Sequence, residues 1–198
     1  MLKLYLFSGF LGSGKTTLVT ALAKKLVQEQ NQKVMLIVND VGDVGIDGHL
    51  MRQLDTDVFE LFGGCVCGQL GNLVNLLQDA GTKYPVDIIL MEASGIAQPV
   101  RFLDTIKRFG PEGMAIKVLA LADAERWLDL RQVVGDLLAS QIKTAQLVLI
   151  NKIDVVDKDV VQKVETDIRT INAEARLMTV SVNDEANVAR IAEVIHCD

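Results

Sequence analysis

The first thirty residues limit the fold more than any other stretch. A mostly apolar run, residues 2–8, leads straight into Gly9-Phe10-Leu11-Gly12-Ser13-Gly14-Lys15-Thr16, and residues 15–30 then follow helical spacing. Three glycines placed this closely let a backbone curl without Cβ clashes. A strand, a glycine-rich turn and a helix in that order match G-x-x-x-x-G-K-[ST], whose backbone amides gather around phosphate groups. The chain should therefore contain a β–loop–α unit in which the amino end of the helix adds partial positive charge beneath an anion.

The rest of the chain repeats the same alternation. Strands are predicted at 2–8, 34–39, 58–61, 86–92, 116–122, 147–151 and 176–180, most of them continuous Val/Ile/Leu runs. Such runs mark strands covered on both faces. Helices are predicted at 15–30, 69–80, 99–109, 132–144, 159–172 and 185–195, with Pro99 suited to a first turn and Gly110-Pro111 to a stop. The expected fold is α/β, a mostly parallel central sheet with helices on both faces, in one domain over residues 1–198. In such sheets, ligands bind at the carboxyl ends of strands, so the loops after strands should carry the chemistry.

Composition excludes several classes. With 20 Lys and Arg against 26 Asp and Glu, the net charge is −6. That balance disfavours nucleic-acid binding, which rests on phosphate neutralisation, and a polybasic membrane surface. The apolar residues 1–7 run into the glycine motif without a small-residue cleavage site, so they read as a buried strand rather than a signal peptide. The longest uncharged stretch, 61–78, holds four Gly and does not suit a membrane span. Three Cys, an odd count with Cys65 and Cys67 one residue apart, form no disulfide framework and point to a reducing cytoplasm.

Four further segments carry candidate chemistry. Asn151-Lys152-Ile153-Asp154 follows a predicted strand and resembles the guanine-recognition signature of P-loop GTPases. A carboxylate at Asp154 accepts from guanine N1–H and the exocyclic amine, whereas adenine offers an acceptor at N1. Pairing of that kind discriminates by ~10⁴-fold where fully buried. Ser181 and Val182, after the last strand, are placed to contact the base. Residues 88–95 run from an apolar strand into Glu92-Ala93-Ser94-Gly95, where Glu92 would hold Mg²⁺ and Gly95 would meet the terminal phosphate. Asn39-Asp40-Val41-Gly42-Asp43 opens an acidic, glycine-containing loop that reads either as a nucleotide-responsive segment or as an ordinary solvated loop.

Taken together and in order, the phosphate loop, residues 39–47, Gly63-Gly64-Cys65-Val66-Cys67, residues 91–95 and Asn151–Asp154 resemble the CobW-like P-loop GTPases, relatives of UreG and HypB. The resemblance implies a GTPase that couples hydrolysis to metal or cofactor insertion. Its expected catalytic set is Lys15, Thr16, Glu92 and Asp43. Nucleotide contacts are expected from Gly9, Leu11, Gly12, Ser13, Gly14, Lys15, Thr16, Thr17, Gly95, Asn151, Lys152, Asp154, Ser181 and Val182, with Mg²⁺ on Thr16 and Glu92.

Two departures qualify the resemblance. The family's Cys-x-Cys-Cys is here Cys65-Val66-Cys67-Gly68, and its usual carboxyl-terminal domain is absent from residues 1–198. Cys65 and Cys67, with Asp43, would take Zn²⁺, Co²⁺ or Ni²⁺, yet two thiolates fall short of the usual four ligands. A tight structural turn is the other reading of that pair. The implied partners are GTP and GDP, a client metalloenzyme or cofactor protein, and a second copy of the chain. The alternative is a nucleotide-gated protein-interaction switch that carries no metal.

Overall fold

The apolar runs become strands because one parallel sheet buries both of their faces. The computed structural model describes residues 2–38, 57–60, 70–80 and 82–197. The strands are β1 (Lys3–Gly9), β2 (Val34–Val38), β3 (Asp57–Glu60), β4 (Ile88–Glu92), β5 (Ala115–Asp123), β6 (Leu147–Asn151) and β7 (Arg176–Thr179). They form a seven-stranded sheet in the order β3-β2-β4-β1-β5-β6-β7, and every pairing is parallel.

The helices are α1 (Lys15–Gln30), α2 (Leu70–Asp79), α3 (Pro99–Phe109), α4 (Trp127–Lys143), α5 (Lys158–Ile171) and α6 (Glu185–Cys197). Alternation along β1 divides the core between them. Leu4 and Leu6 face a cluster containing Leu73, Leu103, Trp127, Ile142 and Val164, from α2 to α5. Tyr5 and Phe7 face a second cluster with Leu18, Leu22 and Leu26 of α1 and Ile191 and Ile195 of α6. Burying each such side chain contributes about 1.5–3 kcal/mol, enough to set the register of the sheet.

The chain turns to one side of β1 through β2, β3 and β4, then to the other through β5, β6 and β7. The crevice therefore opens at the carboxyl end of β1, between β4 and β5. The register places Phe7 beside Glu92, Gly9 beside Leu121, and Asp123 beside Asn151.

Most predicted boundaries hold within two residues, and one is corrected. Helix α4 begins at Trp127 rather than at 132. The Asp123 carboxylate accepts from the Glu125 and Arg126 amides, closing a turn just ahead of the helix, and Trp127 is buried while its Nε1 donates to Asp167 at 2.7 Å, so the helix starts where the indole is anchored. The helix then kinks at Val134, beside Gly135. The predicted strand at 86–92 is shorter, since Val86 and Asp87 precede the ladder. Among the described residues, no helix is long and apolar enough to cross a membrane.

Candidate functional site

The predicted phosphate loop is the turn between β1 and α1, and its glycines take backbone angles that residues with side chains rarely adopt. Gly9, Gly12 and Gly14 have φ of 139°, 71° and 97°. At Gly9 a Cβ would lie 2.5 Å from the Leu121 carbonyl, and at Gly14 it would lie 2.5 Å from Asn151 Nδ2. Neither position accepts a side chain, so the close approach of β5 and β6 to the loop depends on both glycines. Gly14 then caps α1, whose amino end points into the loop.

Around this turn the structure gathers most of the predicted residues. Lys15 is buried and its Nζ donates to the Phe10 carbonyl at 3.2 Å. The Thr16 hydroxyl donates to Glu92 Oε1 at 2.9 Å, which joins the first turn of α1 to the end of β4. Gly95 presses on the loop: a Cβ there would meet the Leu11 side chain at 2.6 Å and the Leu11 amide nitrogen at 2.7 Å. Ser13 is buried and its Oγ has no hydrogen-bond partner among the described residues, while Thr17 is exposed on α1.

Thr16 and Glu92 bring a hydroxyl and a carboxylate together. Two oxygens of that kind are the hard donors that Mg²⁺ prefers, usually with phosphates and waters completing the octahedron. The donor set fits the ion.

The base loop sits on the other side of the crevice. Asn151 is buried and binds two segments at once: its Nδ2 donates to the Ser13 carbonyl at 2.8 Å, and its Oδ1 accepts from the Val182 amide at 3.0 Å. Its side chain is thus a strut between the phosphate loop and the Ser181–Val182 turn, both of which it positions. Lys152 takes a left-handed φ of 65°, and its Nζ lies 2.8 Å from Asp123 Oδ2. Asp154 follows on the short 3₁₀ turn Ile153–Val155 with its side chain exposed. A groove of about 570 Å³ runs along α1 from Thr16 and Thr17 to Gln28 and Glu29, bordered on the other side by Val182 and Asn183 and by Glu185 and Val188 of α6.

Sequence reasoning missed three residues. Asp123, at the end of β5, is buried and takes Arg126 Nε at 2.7 Å as well as Lys152. Arg126 in turn donates through Nη2 to the Leu11 carbonyl at 2.7 Å. Gln141 of α4 is buried, and its Nε2 donates to the Gly95 carbonyl at 2.9 Å and to that of Ala97 at 3.3 Å. An acid ending an apolar strand, with an arginine three residues on, was the available signal for the first two. Asp43, Cys65 and Cys67, with residues 39–47 and 63–67, lie outside the described residues. Among those described, no group of three or more His, Cys, Asp or Glu is placed to hold a metal ion.

The zinc-regulated GTPase metalloprotein activator 1 of Dictyostelium discoideum is 29% identical over 220 residues, covering 89% of this chain and 45% of that protein. The zinc chaperone YjiA of Escherichia coli is 30% identical over 191 residues, covering 90% of this chain and 57% of YjiA. The chain thus spans about half the length of these relatives. In fold it is similar to the crystal structure of the hydrogenase maturation factor HypB from Archaeoglobus fulgidus, with a TM-score of 0.69, 17% identity, and coverage of 98% of this chain and 89% of that one. The model of the CobW/HypB/UreG nucleotide-binding domain matches residues 3–179, and the chain belongs to that family.

Proposed function

We propose that this chain binds GTP with Mg²⁺ and hydrolyses it slowly. In the whole protein, that cycle would gate the delivery of a transition-metal ion to a client metalloprotein. The observation that carries the first part is the convergence of Lys15, Thr16 and Glu92 beneath a glycine cradle that Asn151 ties to the base loop.

The roles follow from charge and position. The cradle amides and the amino end of α1 bind the phosphates, and Lys15 neutralises the charge that grows on the terminal phosphoryl group. Mg²⁺, when bound by Thr16 and Glu92, would share that neutralisation. Gly95, held by Gln141 and packed on Leu11, brings the end of β4 against the loop, where the presence of a terminal phosphate is felt. Asp154 reads the base by accepting from guanine's donors. P-loop GTPases without a supplied arginine turn over at roughly 10⁻⁴–10⁻² per second, and a rate in that range is expected here.

Support for metal delivery comes from the relatives named as a zinc-regulated activator and as a zinc chaperone. The proposed cargo is Zn²⁺, Co²⁺ or Ni²⁺ on Cys65 and Cys67, with Asp43 as a further ligand. The proposed setting is the cytoplasm, with GTP and GDP, a client metalloprotein and a second copy of the chain as partners.

Two measurements test the proposal. Glu92→Gln should slow Mg²⁺-dependent phosphate release from GTP by about 10²-fold or more, the scale of losing one electrostatic contact to the reacting group. Unchanged turnover would remove Glu92 from the site. Calorimetric titration of Zn²⁺, Co²⁺ and Ni²⁺, with and without GTP, should show one ion bound in the wild type and none in Cys65→Ser/Cys67→Ser. Binding that survives loss of both thiols, or no binding at micromolar levels, would leave a nucleotide-gated interaction switch as the function.

A further inference from the structure

One buried carboxylate touches both halves of the crevice. Asp123 Oδ2 accepts from Arg126 Nε at 2.7 Å and from Lys152 Nζ at 2.8 Å, while Oδ1 accepts from the Glu125 amide at 3.1 Å and the Arg126 amide at 3.4 Å. Asp123 is only 3% exposed. Two cations on one buried oxygen form a strong, geometrically specific junction, because each neutralises charge that would otherwise be costly to bury.

Each cation has a second task. Arg126 spends its Nη2 on the Leu11 carbonyl and lies where a Cβ on Gly12 would fall, 2.9 Å away. Among the described residues no peptide bond is cis, and in a trans peptide the carbonyl and the following N–H point in opposite directions. Drawing the Leu11 carbonyl outward therefore turns the Gly12 N–H to the other side of the loop. Lys152 holds a left-handed backbone, which is uncommon for a residue with a side chain. That conformation directs the chain from β6 into the turn carrying Asp154, and the ion pair with Asp123 fastens it.

We propose that Asp123 and Arg126 are positioning residues for nucleotide binding. Asp123 orients Lys152 in the base loop and, through Arg126, the peptide that presents the Gly12 amide to the phosphates. The proposal rests on the nucleotide reading given above. It goes beyond that reading by assigning the phosphate loop and the base loop a common anchor outside the recognised motifs.

The test is calorimetric titration of GDP and ADP into the wild type, Arg126→Ala, Asp123→Asn and the double variant. Arg126 serves the phosphate end alone, so Arg126→Ala should weaken both nucleotides about tenfold and leave the GDP-to-ADP ratio unchanged. Asp123 serves both ends, so Asp123→Asn should weaken GDP at least as much and also reduce that ratio. The double variant should bind GDP no more weakly than Asp123→Asn alone, because the arginine acts through the carboxylate.

Unchanged affinity in Arg126→Ala overturns the proposal. So does a fully additive loss in the double variant, or a common factor for GDP and ADP in Asp123→Asn. If Asp123→Asn does not fold, Arg126→Ala still decides the phosphate half, since a general structural defect would lower the melting temperature of the ligand-free protein, whereas loss of the Leu11 contact should weaken both nucleotides with that temperature unchanged. The wild-type ratio separately tests the reading beneath: a preference for ADP would overturn guanine recognition, while the variant-to-wild-type factors remain measurable on whichever nucleotide binds.

Discussion

The two sides of the crevice are built to different standards of order. On the phosphate side, the loop is held from several directions: Lys15 grips the Phe10 carbonyl, Arg126 that of Leu11 and Asn151 that of Ser13. On the base side, Asn151 and Lys152 are also tied down, but Asp154 presents an exposed carboxylate. Fixed dipoles bind a charged group without reorganisation, so the phosphate side is suited to supply affinity. Asp154 is exposed, so under the proposed function its power to discriminate depends on the bound base covering the carboxylate and shutting out water.

Substitutions can break that division of labour. Lys15→Ala should have the largest effect, weakening GTP and GDP by about 100-fold, the worth of charge-assisted contacts to phosphate. It should do so without changing the preference for guanine, as competition titration against ATP would show. Asn151→Ala comes next. It leaves the Ser13 carbonyl and the Val182 amide without their buried partner, a loss felt mainly in stability and about tenfold in affinity. Both the melting temperature and nucleotide affinity should fall, and a loss of selectivity alone would show that the strut does not support the phosphate loop. Thr17→Ala should be the smallest, with a loss of about two- to fivefold in affinity from one exposed hydroxyl and no change in melting temperature. A loss as large as that of Lys15→Ala would mean that the groove beside α1 contributes more than its exposure implies.

The parts legible in the sequence are those governed by local chemistry. Gly9, Gly12 and Gly14 declare the turn because only glycine adopts those backbone angles cheaply. Continuous apolar runs declare a sheet covered on both sides. Asn151 was legible as a candidate site residue but not as a strut, because its partners, Ser13 and Val182, meet it only once β1, β6 and β7 are in register. Asp123, Arg126 and Gln141 were missed for a related reason. Each acts on a segment that is remote in sequence, and no local spacing encodes such a meeting. The start of α4 at Trp127 was lost likewise, since it depends on burial of the indole and its hydrogen bond to Asp167 of α5.

Nucleotide preference measured on the wild type and on Asp154→Asn tests the central claim most directly. Displacement of a fluorescent GDP analogue by GTP, ATP and XTP, each with Mg²⁺, gives the comparison in one experiment. The wild type should release the analogue at far lower GTP than ATP concentrations. Asp154→Asn should lose much of that preference and gain affinity for XTP, whose additional carbonyl suits an amide donor. Equal displacement by GTP and ATP in the wild type, or an unchanged preference in Asp154→Asn, would contradict guanine recognition through this loop.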